Sequence, residues 1–185
     1  MATETLMAKI AQILKKGGIG VIPTDTLYGI VGRALNKKSV AKIYRFKKRN
    51  LKKPLIILIS SLDDLKKFKI KLQPAHYPLI AKFWPGRTSI IFECYASKYK
   101  YLHRGTNSLA FRLPKDQNLV KLIKKTGPLV APSANIEGKP PAKTIKTARK
   151  YFGDKMDFYL NAGRLKRKPS KLIQLIDNGL KILRK

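Results

Sequence analysis

The chain has 185 residues, with 41 Lys and Arg against 10 Asp and Glu, and a formal net charge of +31. This length suits one domain with a real core, and an apolar share of 44% excludes a disordered polyelectrolyte. So strong a positive charge favours anionic partners such as nucleic acid or nucleotides. Lys spread along the whole chain is equally typical of compositional drift, so individual residues must carry the functional argument.

Cysteine and histidine are scarce, since Cys94, His76 and His103 are the only ones in the sequence. We expect no disulfide framework and no Cys- or His-based metal site, with Cys94 in the core and both histidines in packing or surface roles. The N-terminus has no sustained apolar stretch of the secretory kind, and no window approaches the roughly 18 apolar residues of a membrane span. We therefore expect a cytoplasmic protein that does not associate with membranes.

Helical periodicity and short unbroken apolar runs alternate along the sequence. The first predicted elements are a helix over 3–16 ended by Gly17-Gly18, a strand in IGVIP, an extended piece at the end of TDTLYGIVG, a helix from 39 to about 49 and a strand in PLIILI. Next come a short helix begun by a capping-box pattern at Ser61 and Asp64, a helix through AHYPLIAKF, and strands in TSIIFECY and SLAFRLP. The last are a helix in NLVKLIKKTG, a strand in PLVAPS, a helix in TIKTARKYFG, a strand in DFYL, and two terminal strands joined by Asn178-Gly179. This mixture predicts one α/β domain over residues 1–185, built on a mixed sheet.

Polar residues follow closely on apolar strands at three places, where functional groups are often held. The segments are PTDTLYG at 23–29, FKKRNLKKPLIILIS at 46–60 and APSANIEGKPP at 131–141. Each also has an ordinary structural explanation: a turn stabilised by Asp and Thr side chains, cations at a helix C-terminus, and a rigid proline-rich loop. Taken one at a time, these segments leave both explanations open.

Arg112 lies inside the apolar strand SLAFRLP. A charge that points into a core needs a partner, and no acid lies nearby in sequence, so a ligand carboxylate or phosphate is one candidate. The sequence contains no Walker-type loop and no dinucleotide fingerprint. Any ATP site in this chain must therefore use a different architecture.

Several short segments of the sequence occur in the same order as the motifs of a known family. They are VIPTDTLYG, the K-x-R element KKR followed by KPLIILI, FWPGRTSII, SLAFRLP, PSAN and the ending GRLKRKPSKL. Together they resemble the YrdC family, the threonylcarbamoyl-AMP synthases, over almost the whole chain. The short ending is most similar to the stand-alone bacterial members of the TsaC/YrdC type, because longer members carry a second domain.

The resemblance implies a twisted mixed sheet with flanking helices and a basic concave groove. It also implies an enzyme, a nucleotidyltransferase that joins L-threonine, bicarbonate and ATP into threonylcarbamoyladenylate and releases pyrophosphate. This is the first step in forming N6-threonylcarbamoyladenosine at position 37 of tRNAs that read codons beginning with A. ATP would be a substrate with Mg²⁺, without a permanently bound cofactor. The product would pass to the transferase machinery, and tRNA would bind through the basic groove.

The resemblance also assigns individual residues. ATP contacts are expected from Lys47, Arg49, Lys53, Ser108, Asn135 and Arg184, with Lys47 and Arg49 also catalytic. The threonine pocket is expected to contain Thr26, Arg112, Ser133 and Ser170. No residue is assigned to a metal, and the remaining lysines of the 46–60 segment, Lys48 and Lys52, are expected to be solvated.

The sequence departs from the family pattern at several positions. Glu137 stands where Ser is common, Lys143 stands where longer members have a nucleotide-contacting hydroxyl, and Lys171 interrupts a Pro-Ser-Thr segment. Leu58 occupies a position where longer members have a His near threonine.

Two other functions are consistent with the residues: a non-catalytic RNA-binding protein that uses the same basic groove, and an inactive paralogue.

Overall fold

A computed structural model describes residues 2–176 and 179–185 of the chain. The helices are α1 (Ala2–Lys15), α2 (Lys37–Lys47), α3 (His76–Ala81), α4 (Lys100–His103), α5 (Gln117–Thr126) and α6 (Ile145–Phe152), with short 3-10 helices at Leu62–Phe68, Ser97–Tyr99 and Gly153–Lys155. The strands are β1 (Gly20–Pro23), β2 (Tyr28–Arg33), β3 (Ile57–Leu58), β4 (Thr88–Glu93), β5 (Ser108–Arg112), β6 (Leu129–Val130), β7 (Phe158–Tyr159), β8 (Lys171–Ile176) and β9 (Gly179–Arg184).

These strands form one sheet in the order β7-β1-β2-β6-β3-β5-β4-β8-β9. The sheet is mixed: β1 and β2 are antiparallel, whereas β3 and β5, like β4 and β8, are parallel. The predicted fold class, a mixed sheet with flanking helices, is therefore confirmed. The sheet order also places the loops after β1 and β6 beside the end of β5, which is where polar residues gather.

Both faces of the central strands are buried, whereas β9 at the edge is largely exposed. Successive residues of a strand point to opposite faces, and Ile57 and Leu58 of β3 accordingly belong to two different hydrophobic clusters. One cluster contains the apolar residues of α1 and α5, such as Leu14 and Ile123, and the other includes Ile43 of α2. A helix layer on each face explains why the strand sequences read as unbroken apolar runs rather than as alternating ones.

Two predicted strands are much shorter than their apolar runs. PLIILI contributes only Ile57–Leu58 to the sheet, and PLVAPS contributes only Leu129–Val130. The neighbouring residues on both runs line a cavity, among them Leu55 and Ile56 before β3 and Ala131 after β6, although the backbone N of Ala131 still donates to the oxygen of Ile56 at 2.9 Å. Apolar character correctly predicted burial at these positions, but it did not predict the extent of the strand.

The capping-box prediction at Ser61 and Asp64 is wrong in its details. The segment forms a 3-10 helix, and the side chain of Ser61 makes no capping hydrogen bond. Asp64 instead accepts hydrogen bonds from the backbone N and the hydroxyl of Ser60, both at 2.8 Å. Asp64 therefore anchors the residue before the predicted cap, and its contact with Lys67 at 2.7 Å offsets the charge that this arrangement buries.

The terminal hairpin is confirmed as an antiparallel pair of β8 and β9. Of its predicted turn, Asn178 lies outside the described residues. Cys94 is buried as expected, and His103 is a buried residue at the end of α4, a short helix that the sequence did not reveal. Among the helices of the described ranges, none has both the length and the apolar character that a membrane span requires.

Candidate active site

A cavity of about 300 Å³ opens where the turn after β1, the end of β5, the loop after β6 and the β8–β9 hairpin meet. Its wall includes six of the residues singled out from the sequence: Thr26, Arg49, Arg112, Ser133, Ser170 and Arg184. The four residues assigned to threonine are therefore all brought together. Three guanidinium groups contribute to the same wall, so the cavity is built to receive an anion.

Arg112 is the best-buried charge of this wall, with only 3% of its surface exposed. Its Nη1 donates to Oγ1 of Thr26 at 3.0 Å, and its Nη2 lies 3.2 Å from Oδ1 of Asp25. Within residues 2–176 and 179–185, its Nε has no hydrogen-bond partner. This Nε is itself buried, so the donors available to a ligand in the cavity are the N–H groups of the terminal nitrogens that Thr26 and Asp25 leave unused.

Asp25 corrects one step of the sequence argument. The absence of an acid close to Arg112 in sequence suggested that only a ligand would neutralise this charge, but Asp25 reaches it from 87 positions earlier. Burial raises the pKa of the Asp25 carboxyl, and the charge of Arg112 opposes that rise without cancelling it. Burial likewise lowers the pKa of Arg112, while Asp25 works in the opposite direction.

Lys47, at the end of α2, is held by the loop that follows β6. Its Nζ donates to the backbone oxygens of Ser133 at 2.5 Å and of Asn135 at 2.6 Å. Only 1% of the residue is exposed, and burial lowers its pKa to about 7. The ammonium therefore fastens the K-x-R helix to the S-x-N loop, and it is not part of the cavity wall.

Asn135 is also engaged within its own loop. Its Nδ2 donates to the backbone oxygens of Ile136 and Lys139, and its Oδ1 accepts from the hydroxyl of Ser133 at 2.6 Å. These bonds give the PSAN segment a defined shape and leave the amide no free donor. Asn135 therefore shapes the part of the wall that Ser133 occupies.

The loop between α2 and β3 carries the exposed cations. Arg49 donates from Nε and Nη2 to the backbone oxygens of Lys53 and Pro54, which curls the loop around its guanidinium. Lys53 forms an ion pair with Glu137 at 2.8 Å, and Glu137 also accepts from the backbone N of Asn50 at 2.5 Å. The hydrogen bond from Lys53 lowers the pKa of the Glu137 carboxyl. Glu137, a departure from the family pattern, thus neutralises a predicted phosphate ligand.

Ser170 and Arg184 form the hairpin side of the cavity. Arg184, the last residue of β9, donates from Nε and Nη2 to the backbone oxygen of Ser170 at 3.0 and 2.8 Å. The Ser170 hydroxyl also lies 3.0 Å from the hydroxyl of Ser89 in β4. Burial lowers the pKa of Arg184. The two predicted residues are therefore neighbours that hold each other in place.

Ser108 stands apart from this group. It is the first residue of β5 and Arg112 is the last, so the two are about 13 Å apart along the strand. Its hydroxyl lies 3.2 Å from that of Thr106 and does not contribute to the cavity wall. A nucleotide that contacts both Ser108 and the cavity would have to extend along β5.

The described part of the chain contains no group of three His, Cys, Asp or Glu side chains placed to hold a metal ion.

Comparison with known proteins identifies the family. A family model described as Telomere recombination, the Sua5/YciO/YrdC domain, matches residues 12–185. The chain belongs to the Sua5/YciO/YrdC family. The resemblance drawn from the short motifs is therefore confirmed.

Curated relatives in the Sua5/YciO/YrdC family carry enzymatic names. A putative threonylcarbamoyl-AMP synthase of Methanocaldococcus jannaschii is 32% identical over 177 residues, which are 93% of this chain and 83% of the relative. Another from Mycobacterium tuberculosis is 31% identical over 150 residues, which are 81% of this chain and 69% of the relative. Both bacterial and archaeal members are thus similar to this protein.

Among solved family structures, Pyrococcus abyssi Sua5 complexed with L-threonine superposes with a TM-score of 0.87 at 29% identity. The match covers 96% of this chain but 53% of the Sua5 chain, so this protein spans about half of that relative. The fold described above is that of the matched half.

Asp25 is the site residue that sequence reasoning missed, because the resemblance assigned only Thr26 within the segment 23–29. A signal was available in the composition. Only 10 Asp and Glu occur among the 185 residues, and Asp25 is one of them, two residues after the end of β1. Asp25 has 5% of its surface exposed, which a turn-forming side chain at the surface would not show.

Proposed function

We propose that this protein is a threonylcarbamoyl-AMP synthase. It would combine L-threonine, bicarbonate or CO2, and ATP into L-threonylcarbamoyladenylate, and release pyrophosphate. Membership of the Sua5/YciO/YrdC family and the names of the M. jannaschii and M. tuberculosis relatives support this proposal. We propose that residues 1–185 act as one YrdC-like domain in this reaction.

The observation that carries the proposal is the state of Arg112. A buried guanidinium that lines a cavity and keeps unused N–H groups on its terminal nitrogens is suited to a ligand carboxylate. The hydroxyls of Thr26, Ser133 and Ser170 border the same space and can accept or donate hydrogen bonds to the amine and hydroxyl of threonine. We therefore propose these four residues as the threonine site.

The chemistry asks for positioning rather than for a strong base. The threonine amine loses a proton and attacks CO2 to give a carbamate, whose oxygen attacks the α-phosphorus of ATP while pyrophosphate leaves. A carbamate is already ionised, so the second step needs no activated serine or cysteine. It needs alignment of the two substrates and positive charge on the phosphates.

We propose that the cationic loop and the hairpin supply that charge. Arg49 and Arg184 already line the cavity, and Lys53 is exposed beside it. Lys47, which we keep as a catalytic residue with Arg49, would reach the phosphates only by exchanging its loop oxygens for phosphate oxygens. Asn135 and Ser108 complete the proposed ATP site, the latter only if the nucleotide extends along β5. Mg²⁺ enters as part of the MgATP substrate, and no cofactor stays bound.

The decisive experiment is a pyrophosphate-release assay on the purified protein. Release should require ATP, threonine and bicarbonate together, and omission of any one should abolish it. Release that ignores threonine would overturn the proposal. A protein that binds RNA but releases no pyrophosphate under any condition would instead support the non-catalytic alternative.

The product is the first intermediate of N6-threonylcarbamoyladenosine at position 37 of tRNAs that read codons beginning with A. We propose that it passes to the transferase that modifies tRNA, and that this occurs in the cytoplasm. We also propose that tRNA binds the basic surface, because a net charge of +31 favours phosphate contacts. Filter binding of tRNA over a series of salt concentrations tests this: affinity should fall steeply with salt, and a flat response would contradict it.

A further inference from the structure

The ion pair between Asp25 and Arg112 is incomplete in a way that purely structural pairs seldom are. The two side chains are 6% and 4% exposed, so both charges have lost nearly all of their water. The 3.2 Å contact from Nη2 to Oδ1 is close enough for an ion pair but lacks the geometry of a hydrogen bond. Considering all described residues, neither carboxylate oxygen of Asp25 receives a hydrogen bond from another residue, and only the backbone N–H of Asp25 itself helps to stabilise the charge. Buried pairs normally need such bonds to offset their desolvation.

The two residues of the pair occupy different positions relative to the cavity. Arg112 belongs to its wall, whereas Asp25 does not and contacts Arg112 from behind. The carboxylate of Asp25 therefore does not meet a ligand directly. Its effect on any ligand must be transmitted through the guanidinium.

A second charge, that of Arg184, acts on Arg112 in the direction opposite to Asp25. Arg184 belongs to the same wall, and the repulsion between these like charges disfavours the protonated form of Arg112. Asp25 opposes this repulsion, and Arg87 and Asp116 are the other charged groups that act on its carboxyl. The backbone of Asp25 is itself anchored, because its carbonyl oxygen accepts from Nη1 of Arg167 at 3.0 Å. Asp25 is thus a restrained counter-charge.

We propose that Asp25 is a positioning residue for the carboxylate of bound threonine: it holds the Arg112 guanidinium in one orientation at the cavity wall. A planar fork recognises a carboxylate only when its plane is correctly set. Oγ1 of Thr26 takes one N–H of Nη1 and Asp25 lies beside Nη2, so the remaining N–H groups of these two nitrogens are left for the ligand. This inference rests on the proposed function, because it takes threonine as the ligand.

The test is the Asp25→Asn variant in the threonine-dependent pyrophosphate assay. This change keeps the size of the side chain and removes its charge. We expect the KM for threonine to rise by about tenfold while the KM for ATP changes by less than about threefold. A residue that served only the fold would alter both constants together or lower the amount of active enzyme. An unchanged KM for threonine overturns the inference.

A matched control is Asp64→Asn, which removes the charge of another buried, ion-paired carboxylate that is not part of the cavity wall. It should leave the KM for threonine unaltered. If it raises that constant as much as Asp25→Asn does, general destabilisation explains both results and the inference falls.

A comparison in the Arg112→Met background shows whether Asp25 acts through Arg112. There, adding Asp25→Asn should change the KM for threonine by less than about twofold, because the residue being positioned is already gone. A further rise of about tenfold would contradict the inference. This double variant contains no unpaired buried charge, so it should fold, and its comparison with Arg112→Met can still contradict the inference if Asp25→Asn alone does not fold.

Failure of this inference is distinguishable from failure of the proposed function. The unaltered protein is assayed first, and release without threonine would overturn the proposed function itself. Threonine-dependent release that Asp25→Asn leaves at the same KM would overturn only the role of Asp25.

Discussion

The two sides of the cavity are built differently. On the side that we propose for threonine, Arg112 and Thr26 are buried and bonded to one another. On the side that we propose for the phosphates, Lys53 and Glu137 form an ion pair whose Lys side chain is 59% exposed. The first side is preorganised for a small ligand, whereas the second holds exposed charges that can be exchanged for those of a nucleotide. Substitutions on the two sides should therefore differ in size, in salt dependence and in which substrate they affect.

The largest effect should come from Arg112→Met. The loss of a buried, charge-assisted contact should raise the KM for threonine by about 100-fold, or about 2.7 kcal/mol. Asp25 left alone should take up a proton, because burial already raises its pKa. Steady-state kinetics with threonine and ATP varied in turn measures the effect. Arg112→Lys keeps the charge without the planar fork, so its KM for threonine should lie between those of the unaltered protein and Arg112→Met. If the KM of Arg112→Lys equals that of the unaltered protein, preorganisation of the fork is refuted.

The pH dependence of stability can show whether Lys47, a predicted phosphate ligand, is buried and neutral in the folded protein. Its pKa of about 7 is far below the usual 10.5, so between these values the unfolded chain holds a proton that the folded protein lacks. The free energy of unfolding should therefore increase as pH rises from 7, by about 1 kcal/mol per pH unit.

Urea unfolding at pH 7, 8 and 9 measures this slope. Lys47→Met should flatten it, whereas Lys52→Met, which alters an exposed lysine, should leave it unchanged. Equal slopes in the unaltered protein and Lys47→Met would show that Lys47 does not titrate in this range.

Arg49→Ala should reduce adenylate formation by at least about tenfold, equivalent to about 1.4 kcal/mol. Arg49 lines the cavity and also holds the backbone of its loop, so Arg49→Lys should recover little activity. Lys66→Ala is the matched control, because Lys66 only pairs with exposed Asp63. Lys67 is a poorer control than its position suggests, since it pairs with buried Asp64. Equal losses at Arg49 and Lys66 would mean that bulk charge, and not site geometry, governs the reaction.

The smallest effect should come from Glu137→Gln. This change frees Lys53 for the nucleotide, so the KM for ATP should fall by about two- to threefold at low ionic strength and recover as salt screens the charge. ATP titrations at two salt concentrations measure it. A rise in KM would mean that Glu137 mainly orders the loop through Asn50.

Much of the fold was predictable because its signals are local. Helix ends at Gly17 and Gly127 and the terminal hairpin depend on neighbouring residues, and the structure bears them out. The lengths of β3 and β6 were not predictable, because an apolar run reports burial and says nothing of whether the backbone meets a partner strand.

The site was predictable as a set of motifs but not as a network. Ordered motifs selected six residues that do share one cavity wall. The contact between Arg112 and Asp25, and that between Lys47 and the oxygens of Ser133 and Asn135, join residues 86 to 88 positions apart. Such contacts depend on sheet order, which a single sequence does not reveal.

The hydrogen bonds from Arg184 to the backbone oxygen of Ser170 have a practical consequence for handling the protein. Arg184 is part of the cavity wall, so a purification tag fused directly after residue 185 would begin beside that cavity. The first helix, α1, does not contribute to the wall. An affinity tag placed ahead of α1 should therefore disturb the cavity less, and kinetic data from tagged protein should be compared on that basis.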